Sequence, residues 1–288
     1  MRYMDAIEKR QSVRSFQAKE LTVNQIYLLE NFFKEVPHLV DGIETEMVIM
    51  GESTGVRLEG VAGYEGRCFN APNYVFILSE KKDGYLENAG FITENIVLKL
   101  VSMGIGNVWL TVNDSEFVKK AVRLHSDKEV VAIIACGYEK RQLGERRLDI
   151  KNPSNVEFHQ RKGYAAPKIA LSELVYQDTW GNSKDLSENA VDPQMEKAFY
   201  AASLAPSFFN RQMYRFVVIG NRIIACGQME EIVAEDDSRL DMGAALFHFY
   251  IIYHEYTNMA GSWKLGIPEG LGDFGKPESF DIVAYYDL

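Results

Sequence analysis

Two long segments with helical apolar periodicity, each followed by a glycine and then a tryptophan, limit the folds open to this chain more than any other feature. These segments belong to an internal repeat. It consists of three matched pairs: Asn88-Ala89-Gly90 with Asp241-Met242-Gly243, Gly106-Asn107-Val108-Trp109 with Gly261-Ser262-Trp263, and Val131-Ala132-Ile133-Ile134 with Val283-Ala284-Tyr285-Tyr286. Three matches in the same order predict two related halves that pack against each other. Because strands and helices alternate in both, we expect an α/β or α+β sandwich built around a central sheet.

Local signals predict the individual elements. The predicted helices cover residues 3–9, 23–33, 88–102, about 113–124, 193–204 and 241–256. The predicted strands cover residues 46–50, 71–78, 107–112, 129–137, 214–219, 261–265 and 282–286. Thr22 and Gln25 have the spacing of a capping box at the start of the second helix. Residues 138–168 are polar and are expected to lie outside the core.

The charge balance argues against nucleic acid and against an anionic membrane surface as partners. The chain has 31 lysines and arginines and 41 aspartates and glutamates, for a net charge of -10, whereas both partners need a dense basic face. The apolar runs are too short or too interrupted to span a bilayer, and the N-terminus has no secretory signal. Three scattered cysteines without metal-ligand spacing are typical of a reducing compartment. We therefore expect a cytoplasmic protein without a metal centre.

A basic stretch follows the first predicted helix and reads Arg10-Gln11-Ser12-Val13-Arg14-Ser15-Phe16. Arg10 and Arg14 lie four residues apart, with the hydroxyl of Ser12 between them. Two guanidinium groups and a hydroxyl can bind a phosphate together, because each guanidinium offers paired charge-assisted donors. A charge run at a helix end is also typical of a solvated surface, so this stretch alone leaves both interpretations open.

A second stretch, about two hundred residues later, favours the phosphate site. It reads Ala205-Pro206-Ser207-Phe208-Phe209-Asn210-Arg211-Gln212-Met213-Tyr214. The two stretches resemble the opening basic signature and the Ala-Pro-Ser-x-x-Asn-x-Gln loop of the nitroreductase family of FMN-dependent oxidoreductases. A third, Gly104-Ile105-Gly106-Asn107-Val108-Trp109-Leu110, is similar to that family's Gly-x-Gly-x-x-Trp-Leu segment. The resemblance implies an α+β fold, a nitroreductase-like mixed sheet with surrounding helices and two related halves in one chain.

The order of the motifs differs from the family's. In the family both motifs lie near the N-terminus, and each FMN lies between the subunits of a homodimer that supply one motif each. Here residues 1–170 keep the basic motif, and residues 171–288 keep the Ala-Pro-Ser loop. The loop position of the first half reads Glu35-Val36-Pro37-His38-Leu39-Val40-Asp41. The resemblance therefore implies a fused pseudo-dimer of these two halves, with one FMN site between them.

The resemblance also implies which residues hold the FMN phosphate. Arg10, Ser12 and Arg14 would bind the phosphate and the ribityl oxygens, with Gln11 beside them. Lys168 matches a further basic position at the phosphate. Four other basic residues compete for that position: Arg146, Arg147, Arg161 and Lys162.

The flavin ring is expected between the two halves. Arg67 matches a basic family position near the ring, and the alternative is an exposed loop arginine. Thr111 stands after Leu110, where the family places backbone donors near the reactive flavin nitrogen and often has glycines. Four residues of the Ala-Pro-Ser loop would close over the ring: Pro206, Ser207, Phe208 and Asn210. The family often has serine in place of Phe208. Because phenylalanine is larger, this side chain is expected to narrow the space over the face of the flavin ring.

The implied activity is that of an FMN-dependent oxidoreductase, in which NADH or NADPH reduces the flavin and a nitroaromatic, quinone or similar small molecule accepts the electrons. FMN itself carries this reaction, so no catalytic side chain is expected. The alternatives are a degenerate flavin- or ligand-binding protein without turnover and, less favoured, a structural protein without flavin. A fused pseudo-dimer is expected to be a monomer, with further association left open. His248, on an apolar helix stripe, is expected to be a hydrogen-bonded core residue.

Overall fold

The computed structural model describes residues 1–140, 147–152, 155–159, 166–183, 193–228, 233–257 and 261–288. The helices in these ranges are α1 (Tyr3–Lys9), α2 (Val23–Phe33), α3 (Ser53–Leu58), α4 (Tyr85–Ser102), α5 (Ser115–Val122), α6 (Leu171–Leu174), α7 (Pro193–Ser203) and α8 (Glu235–Thr257). The strands are β1 (Thr45–Gly51), β2 (Asn73–Ser79), β3 (Gly106–Leu110), β4 (Glu129–Gly137), β5 (Arg147–Asn152), β6 (Asn155–His159), β7 (Val175–Gln177), β8 (Tyr214–Ile219), β9 (Arg222–Gln228), β10 (Trp263–Leu265) and β11 (Phe280–Asp287).

Each half contributes one main sheet, and the two sheets have the same strand order. The first is β1-β2-β4-β3, with antiparallel neighbours throughout. The second is β8-β9-β11-β10, also antiparallel, with β7 added in parallel beside β8. In each half the long helix, α4 or α8, lies between the second and third of these four strands along the chain. The α+β fold with two related halves is thus confirmed, although the strands form two main sheets where one central sheet was expected.

The halves meet along α4 and α8, which approach each other at two glycines. A Cβ on Gly90 would overlap the carbonyl oxygen of Leu240, and a Cβ on Gly243 would overlap the carbonyl oxygen of Glu87. Gly90 and Gly243 are separated by the same number of residues as Glu87 and Leu240. Each glycine therefore meets the equivalent residue of the other helix, and this crossing has pseudo-twofold symmetry. Glycine is required at both positions because each helix backbone lies against the other.

Apolar side chains continue across this junction. Phe91 of α4 packs edge-on against Phe247 of α8, with ring centroids 5.0 Å apart. Ala6 and Ile7 of α1 are buried in the same cluster as α7 and the second sheet, so the first helix of the chain is anchored partly by the second half. This placement brings the residue that follows α1, Arg10, to the boundary between the halves. No helix in the described ranges is long and apolar enough to cross a membrane.

Elements with strong local signals have the predicted bounds, and α2 begins with the predicted capping box of Thr22 and Gln25. The two long helices begin earlier than predicted. Gly84, with a φ of 77°, precedes α4, and an acidic first turn, which the helix dipole favours, begins α8 at Glu235. Neither β9 nor α3 was predicted from the sequence. The polar segment 138–168 contains the β5–β6 hairpin.

Candidate functional site

The basic stretch after α1 runs in an extended conformation beside β3. Arg10 ends α1 with φ -60° and ψ 128°, and Ser12 forms a parallel bridge with Asn107. The N–H of Val13 donates to the carbonyl oxygen of Asn107 at 2.9 Å. Because side chains alternate along an extended segment, Arg10, Ser12 and Arg14 share one side, while Val13 points to the other and is buried.

Two cationic side chains that are far apart in the sequence, Arg10 and Lys168, come near each other at the inner end of this stretch. The Arg10 guanidinium is largely buried, and its Nε has no hydrogen-bond partner among the described residues. Burial lowers the pKa of Arg10, against the opposing effects of Glu94 and Tyr214. Burial, and then the charge of Arg10, lower the pKa of Lys168 to about 8, while Glu94 and Asp241 act in the opposite direction. Arg10 and Lys168 are therefore close enough to repel each other, an arrangement that an added anion would stabilise.

The Ala-Pro-Ser loop fixes the segment that carries Lys168. The side-chain amide of Asn210 donates to the carbonyl oxygen of the residue before Lys168 at 2.6 Å. The Oε1 of Gln212 accepts the N–H of the residue after it at 3.0 Å. Lys168 in turn donates from Nζ to the carbonyl oxygen of Ala205 at 2.7 Å. The spacing of asparagine and glutamine within this loop thus has a local explanation: both side chains position the lysine.

Asp241 of α8 anchors the same loop from below. Its Oδ2 accepts the N–H of Phe208 at 2.8 Å. Burial raises the pKa of Asp241 well above its ordinary value, while the bond from Phe208 and the charge of Lys168 lower it. The corresponding residue of α4, Asn88, accepts two N–H groups from the equivalent loop of the first half, those of residues 39 and 40, at 2.9 and 3.1 Å. Both halves therefore hold this loop by a side-chain oxygen at the same helix position, that of a carboxyl group in one and of an amide in the other.

A buried pair joins α4 and α8 beneath the two cations. Glu94 and His248 have no exposed side-chain surface, and Oε1 of Glu94 lies 3.0 Å from Nε2 of His248. The other ring nitrogen, Nδ1, lies 2.9 Å from the carbonyl oxygen of Ala201 and must carry a hydrogen, since a carbonyl only accepts. One further proton is therefore shared between Nε2 and the carboxylate. The indole of Trp109 donates to Oε2 of Glu94 at 3.2 Å. His248 is the hydrogen-bonded core residue that was predicted.

We call the region around Arg10, Lys168 and the Ala-Pro-Ser loop the crevice, and a loop of the first half beside Thr111 lies at its outer end. The N–H of Gly63 donates to the carbonyl oxygen of Thr111 at 2.8 Å, and the Thr111 side chain hydrogen-bonds Asp237 of α8. Burial and a neighbouring aspartate raise the pKa of Asp237 to about 6, although the bond from Thr111 lowers it. One carboxylate oxygen of Asp237 is buried without a partner in the described ranges. Arg67 lies in the same loop, exposed, and pairs with Glu65 at 3.2 Å.

The structure brings most of the predicted site residues near one another at the junction of the halves. Those linked there by hydrogen bonds or electrostatic interactions are Arg10, Thr111, Lys168, Ser207, Phe208 and Asn210. Pro206 lies in the same loop, between Ala205 and Ser207. Ser12, Arg14 and Arg67 are exposed at its edges. Gln11 is directed elsewhere, with Nε2 3.5 Å from Oε1 of Glu139. Among the basic competitors of Lys168, residues 146, 161 and 162 lie outside the described ranges, and nothing of the side chain at position 147 is described.

These donors fit a phosphate group. A buried guanidinium with an unpartnered Nε–H, next to an ammonium held by its own loop, offers the charge-assisted hydrogen bonds that phosphate oxygens accept. The described part of the chain offers no comparable set of ligands for a metal ion, because no three histidine, cysteine, aspartate or glutamate side chains cluster there. The crevice is therefore suited to an anion that reaches the junction of the halves.

Sequence reasoning missed the residues that support the crevice. Asp241 was identified only as the start of a helix, although aligning the two halves pairs it with Asn88 and would have indicated a common anchoring role. Glu94 is a charged residue on the otherwise apolar stripe of a predicted helix, and such a position is rarely buried unless it is partnered. No local signal distinguishes Tyr64, whose ring lies 6.1 Å from that of Phe208 across the junction.

Comparison with known proteins gives matches of two kinds. A family model described as "Putative TM nitroreductase" matches residues 2–252. Among solved structures, a "putative nitroreductase" from Thermotoga maritima is similar over 100% of this chain and 94% of its own, with 20% identity and a TM-score of 0.61. An FMN-dependent nitroreductase from Clostridium difficile R20291 covers 48% of this chain and 88% of its own, with 19% identity and a TM-score of 0.42. A nitroreductase with bound FMN from Bacteroides fragilis covers 55% of this chain and 100% of its own, with 18% identity and a TM-score of 0.40. No curated protein matches the chain.

Proposed function

Because this chain belongs to the family described as "Putative TM nitroreductase", we propose that it is an FMN-dependent oxidoreductase with one flavin site between its halves. The observation that carries the proposal is the proximity of Arg10 and Lys168 at the junction, where Lys168 contacts Ala205 of the second half, with the buried Nε of Arg10 unpartnered in the described ranges. A phosphate dianion would satisfy this donor and relieve the repulsion between the two cations. Ser12 and Arg14, on the same side of the extended stretch, would contribute further donors.

The chain's own residues would bind and orient the cofactor. Arg10 and Lys168 would hold its phosphate, and the loop anchored by Asp241 would cover its ring together with Thr111. When bound, FMN supplies a ring that takes two electrons and a proton from NADH or NADPH and passes them to a small acceptor. For a quinone the balance is NAD(P)H + H⁺ + quinone giving NAD(P)⁺ + hydroquinone. The aromatic ring of Phe208 would help to exclude water from this step.

The organisation of the chain follows from the same proposal. We infer that an ancestral dimer-forming unit was duplicated and fused, with the boundary of the halves between residues 170 and 171, just before α6. The matching strand order of the two sheets supports this. Since the fused halves already bury the junction along α4 and α8, the active form would be a monomer. The three cysteines are buried and unpaired, which supports a cytoplasmic location.

One observation favours a second candidate, a degenerate flavin- or ligand-binding protein without turnover. Tyr64 packs edge-on against Phe208, with ring centroids 6.1 Å apart, and so joins the two walls of the crevice. Rings that stay in contact would restrict access to a flavin and leave a binding protein. The two candidates share the anion site and differ only in whether an electron donor and an acceptor reach the ring.

Flavin content and turnover decide between these candidates. The purified protein is loaded with FMN and gel-filtered, its visible spectrum gives the flavin content per chain, and NADH or NADPH oxidation is then followed with ferricyanide as acceptor. About one FMN per chain together with nucleotide oxidation supports the oxidoreductase. One FMN without oxidation supports the degenerate binding protein. Failure to retain FMN at all refutes the oxidoreductase and the flavin-binding form of the second candidate, and leaves a degenerate protein that binds another ligand. A riboflavin titration as control shows whether any binding depends on the phosphate.

A further inference from the structure

Asp237 and Thr111 join the two halves at the outer end of the crevice. Asp237 lies in the first turn of α8, and Thr111 follows β3. The Thr111 side chain hydrogen-bonds the Asp237 carboxyl group, whose Oδ2 is buried and has no hydrogen-bond partner in the described ranges. Burying a carboxylate oxygen without a partner is costly. This oxygen can therefore exchange a hydrogen bond or a proton with a molecule bound in the crevice.

The start of α8 does not require this carboxyl group. Glu235 and Asp236 lie in the same turn and are exposed. Acidic side chains there interact favourably with the helix dipole, and these two do so without leaving water. Burial and the charge of Asp236 raise the pKa of Asp237 to about 6, although the bond from Thr111 lowers it. Helix formation alone does not account for a carboxyl group in such a place.

The other junction of the halves shows that the fold does not require the carboxyl group either. Counted from the paired glycines of α4 and α8, Gly84 is the equivalent of Asp237. Counted from the repeated tryptophans, Leu265 is the equivalent of Thr111. Gly84 and Leu265 are also in contact, since a Cβ on Gly84 would overlap Cδ1 of Leu265. The two junctions thus make the same contact, and it is polar only where Arg10 and Lys168 lie.

A cavity of about 410 Å³ lies at this position in the other junction. Its walls include Leu39 and Val40 of the first half's loop, together with Gly84 and Leu265. Cavities of this size are typical of small-molecule sites. The equivalent segments at the cationic junction are the Ala-Pro-Ser loop, the start of α8 and the segment after β3. By this equivalence Asp237 stands on the wall of the space that a molecule in the crevice would occupy.

We propose that Asp237 is a catalytic acid that gives a proton to the electron acceptor as the acceptor takes a hydride; the inference rests on the proposed function. The hydride comes from the reduced cofactor. The O–H bond of the Asp237 carboxyl group breaks, and the acceptor forms a new bond to that proton. The carboxylate then recovers a proton from the solvent, which is the H⁺ consumed in the balance given above. The family resemblance implied no catalytic side chain, so this role adds to it.

The surroundings of Asp237 suit proton transfer near neutral pH. An acid is most effective when its pKa lies close to the pH of the reaction, and the pKa of Asp237 lies at about 6. Its charged neighbours are Asp236, which raises this pKa, and Asp241, whose own pKa Asp237 raises. The Lys168 cation acts on Asp241, and Thr111, from the opposite half, is neutral. Asp237 is therefore more easily protonated than an exposed aspartate.

The test compares an acceptor that needs a proton with one that does not. The FMN-loaded wild type and Asp237→Asn are photoreduced without oxygen and mixed with 1,4-benzoquinone or ferricyanide, and flavin absorbance follows reoxidation. Ferricyanide takes electrons alone, so its rate should be unchanged in the variant. Because a general acid contributes about 10²- to 10⁴-fold, the benzoquinone rate at pH 6 should fall about a hundredfold or more. In the wild type this rate should also decline above pH 6, whereas the ferricyanide rate should not.

Two further variants are controls. Glu235→Gln removes an exposed carboxyl group from the same helix turn and should leave both rates unaffected. Asp237→Glu keeps a carboxyl group and should restore part of the benzoquinone rate. The FMN affinity of Asp237→Asn, measured by fluorescence quenching, should equal that of the wild type, and a weaker affinity with an unchanged benzoquinone rate would assign Asp237 to cofactor binding instead.

A titration of the cofactor-free protein gives a measurement that does not depend on turnover. Carbon-13 NMR with labelled aspartate should show a carboxyl resonance that titrates at about pH 6 and is missing from Asp237→Asn. Titration of that resonance near the ordinary 3.8 overturns the proposal, and so does an equal loss of rate with both acceptors. A wild type that retains no FMN refutes the proposed function and this assignment with it. An unchanged benzoquinone rate in Asp237→Asn, beside a wild type that reduces both acceptors, refutes the assignment alone.

Discussion

Lys168 should make two properties change with pH in opposite directions: the affinity for FMN and the stability of the cofactor-free protein. Replacing Lys168 tests both. The pKa of Lys168 lies at about 8, lowered from its ordinary 10.5 by burial and by Arg10. Only the protonated ammonium can bind an anion strongly, while a phosphate monoester, with a second pKa of about 6, stays doubly charged above pH 7. FMN affinity should therefore fall as the pH rises above 8. Because a hydrogen bond to a charged group contributes about 1.5–3 kcal/mol, the total loss should reach roughly 10- to 150-fold.

The stability of the cofactor-free protein should change in the opposite direction. Between pH 8 and pH 10.5 the unfolded chain carries a proton on Lys168 that the folded protein has lost, so the free energy of unfolding rises with pH. With one pKa unit equal to 1.36 kcal/mol, this rise amounts to about 2 kcal/mol between pH 7.5 and 9.5. Lys168→Met removes the titrating group. The variant should therefore gain stability relative to the wild type at pH 7.5 and lose most of that gain by pH 9.5.

Two titrations at pH 7.5, 8.5 and 9.5 measure these effects. Quenching of flavin fluorescence gives the dissociation constants of FMN and of riboflavin, and urea unfolding gives the free energy of unfolding. Only FMN should show the alkaline loss of affinity, since riboflavin lacks the phosphate. Lys120→Met removes an exposed lysine of α5 and should behave as the wild type in both titrations.

The reasoning is refuted if the stability difference between the wild type and Lys168→Met is the same at all three pH values. Equal alkaline losses for FMN and riboflavin would likewise show that Lys168 does not contact the phosphate. Other groups titrate in this range, but they do so equally in both proteins, so the difference isolates Lys168.

Three further predictions concern the cations, the helix crossing and the loop anchor. Arg10→Ala combined with Arg14→Ala should abolish FMN binding, with riboflavin affinity reduced far less, in the same fluorescence titration; unchanged FMN retention would refute the site. Gly243→Ala should lower the melting temperature by roughly 2–10 °C, because overpacking costs about 1–3 kcal/mol, whereas Gly272→Ala, with open space around it, should not. Asp241→Asn should keep the loop anchored and lose little stability, while Asp241→Ala should cost about 1–3 kcal/mol in urea unfolding for the unpaired N–H.

The sequence was most informative where a feature recurs or where chemistry fixes a residue type. The repeat predicted two related halves, because equivalent helices need the same glycines where they cross, and Gly90 and Gly243 both belong to it. The capping box of Thr22 predicted the start of α2 because its hydrogen bonds are local. The Arg10 motif predicted a phosphate site because few arrangements of donors suit a dianion.

Features that depend on contacts between distant segments could not be predicted in this way. The strand β9 follows β8 after a two-residue turn, and its register is fixed by pairing with β11 on its other side. Asp241 and Glu94 acquire their partners only when the halves pack, since their hydrogen bonds reach Phe208 and His248 far along the chain. The meeting of Tyr64 with Phe208 likewise depends on two loops from different halves.

The comparison of Asp241 with Asn88 indicates why one crevice holds the cations. Both side chains accept backbone N–H groups of the loop above them, so anchoring requires only an oxygen and not a charge. A buried carboxylate is costly unless it is compensated: burial raises the pKa of Asp241 well above its ordinary value, and the charge of Lys168 opposes this rise. The carboxylate in turn favours the protonated form of Lys168. When it is ionised, Asp241 thus has its counterpart in the cations at the junction. Asn88, which anchors its loop without a charge, shows that anchoring alone would not have required one.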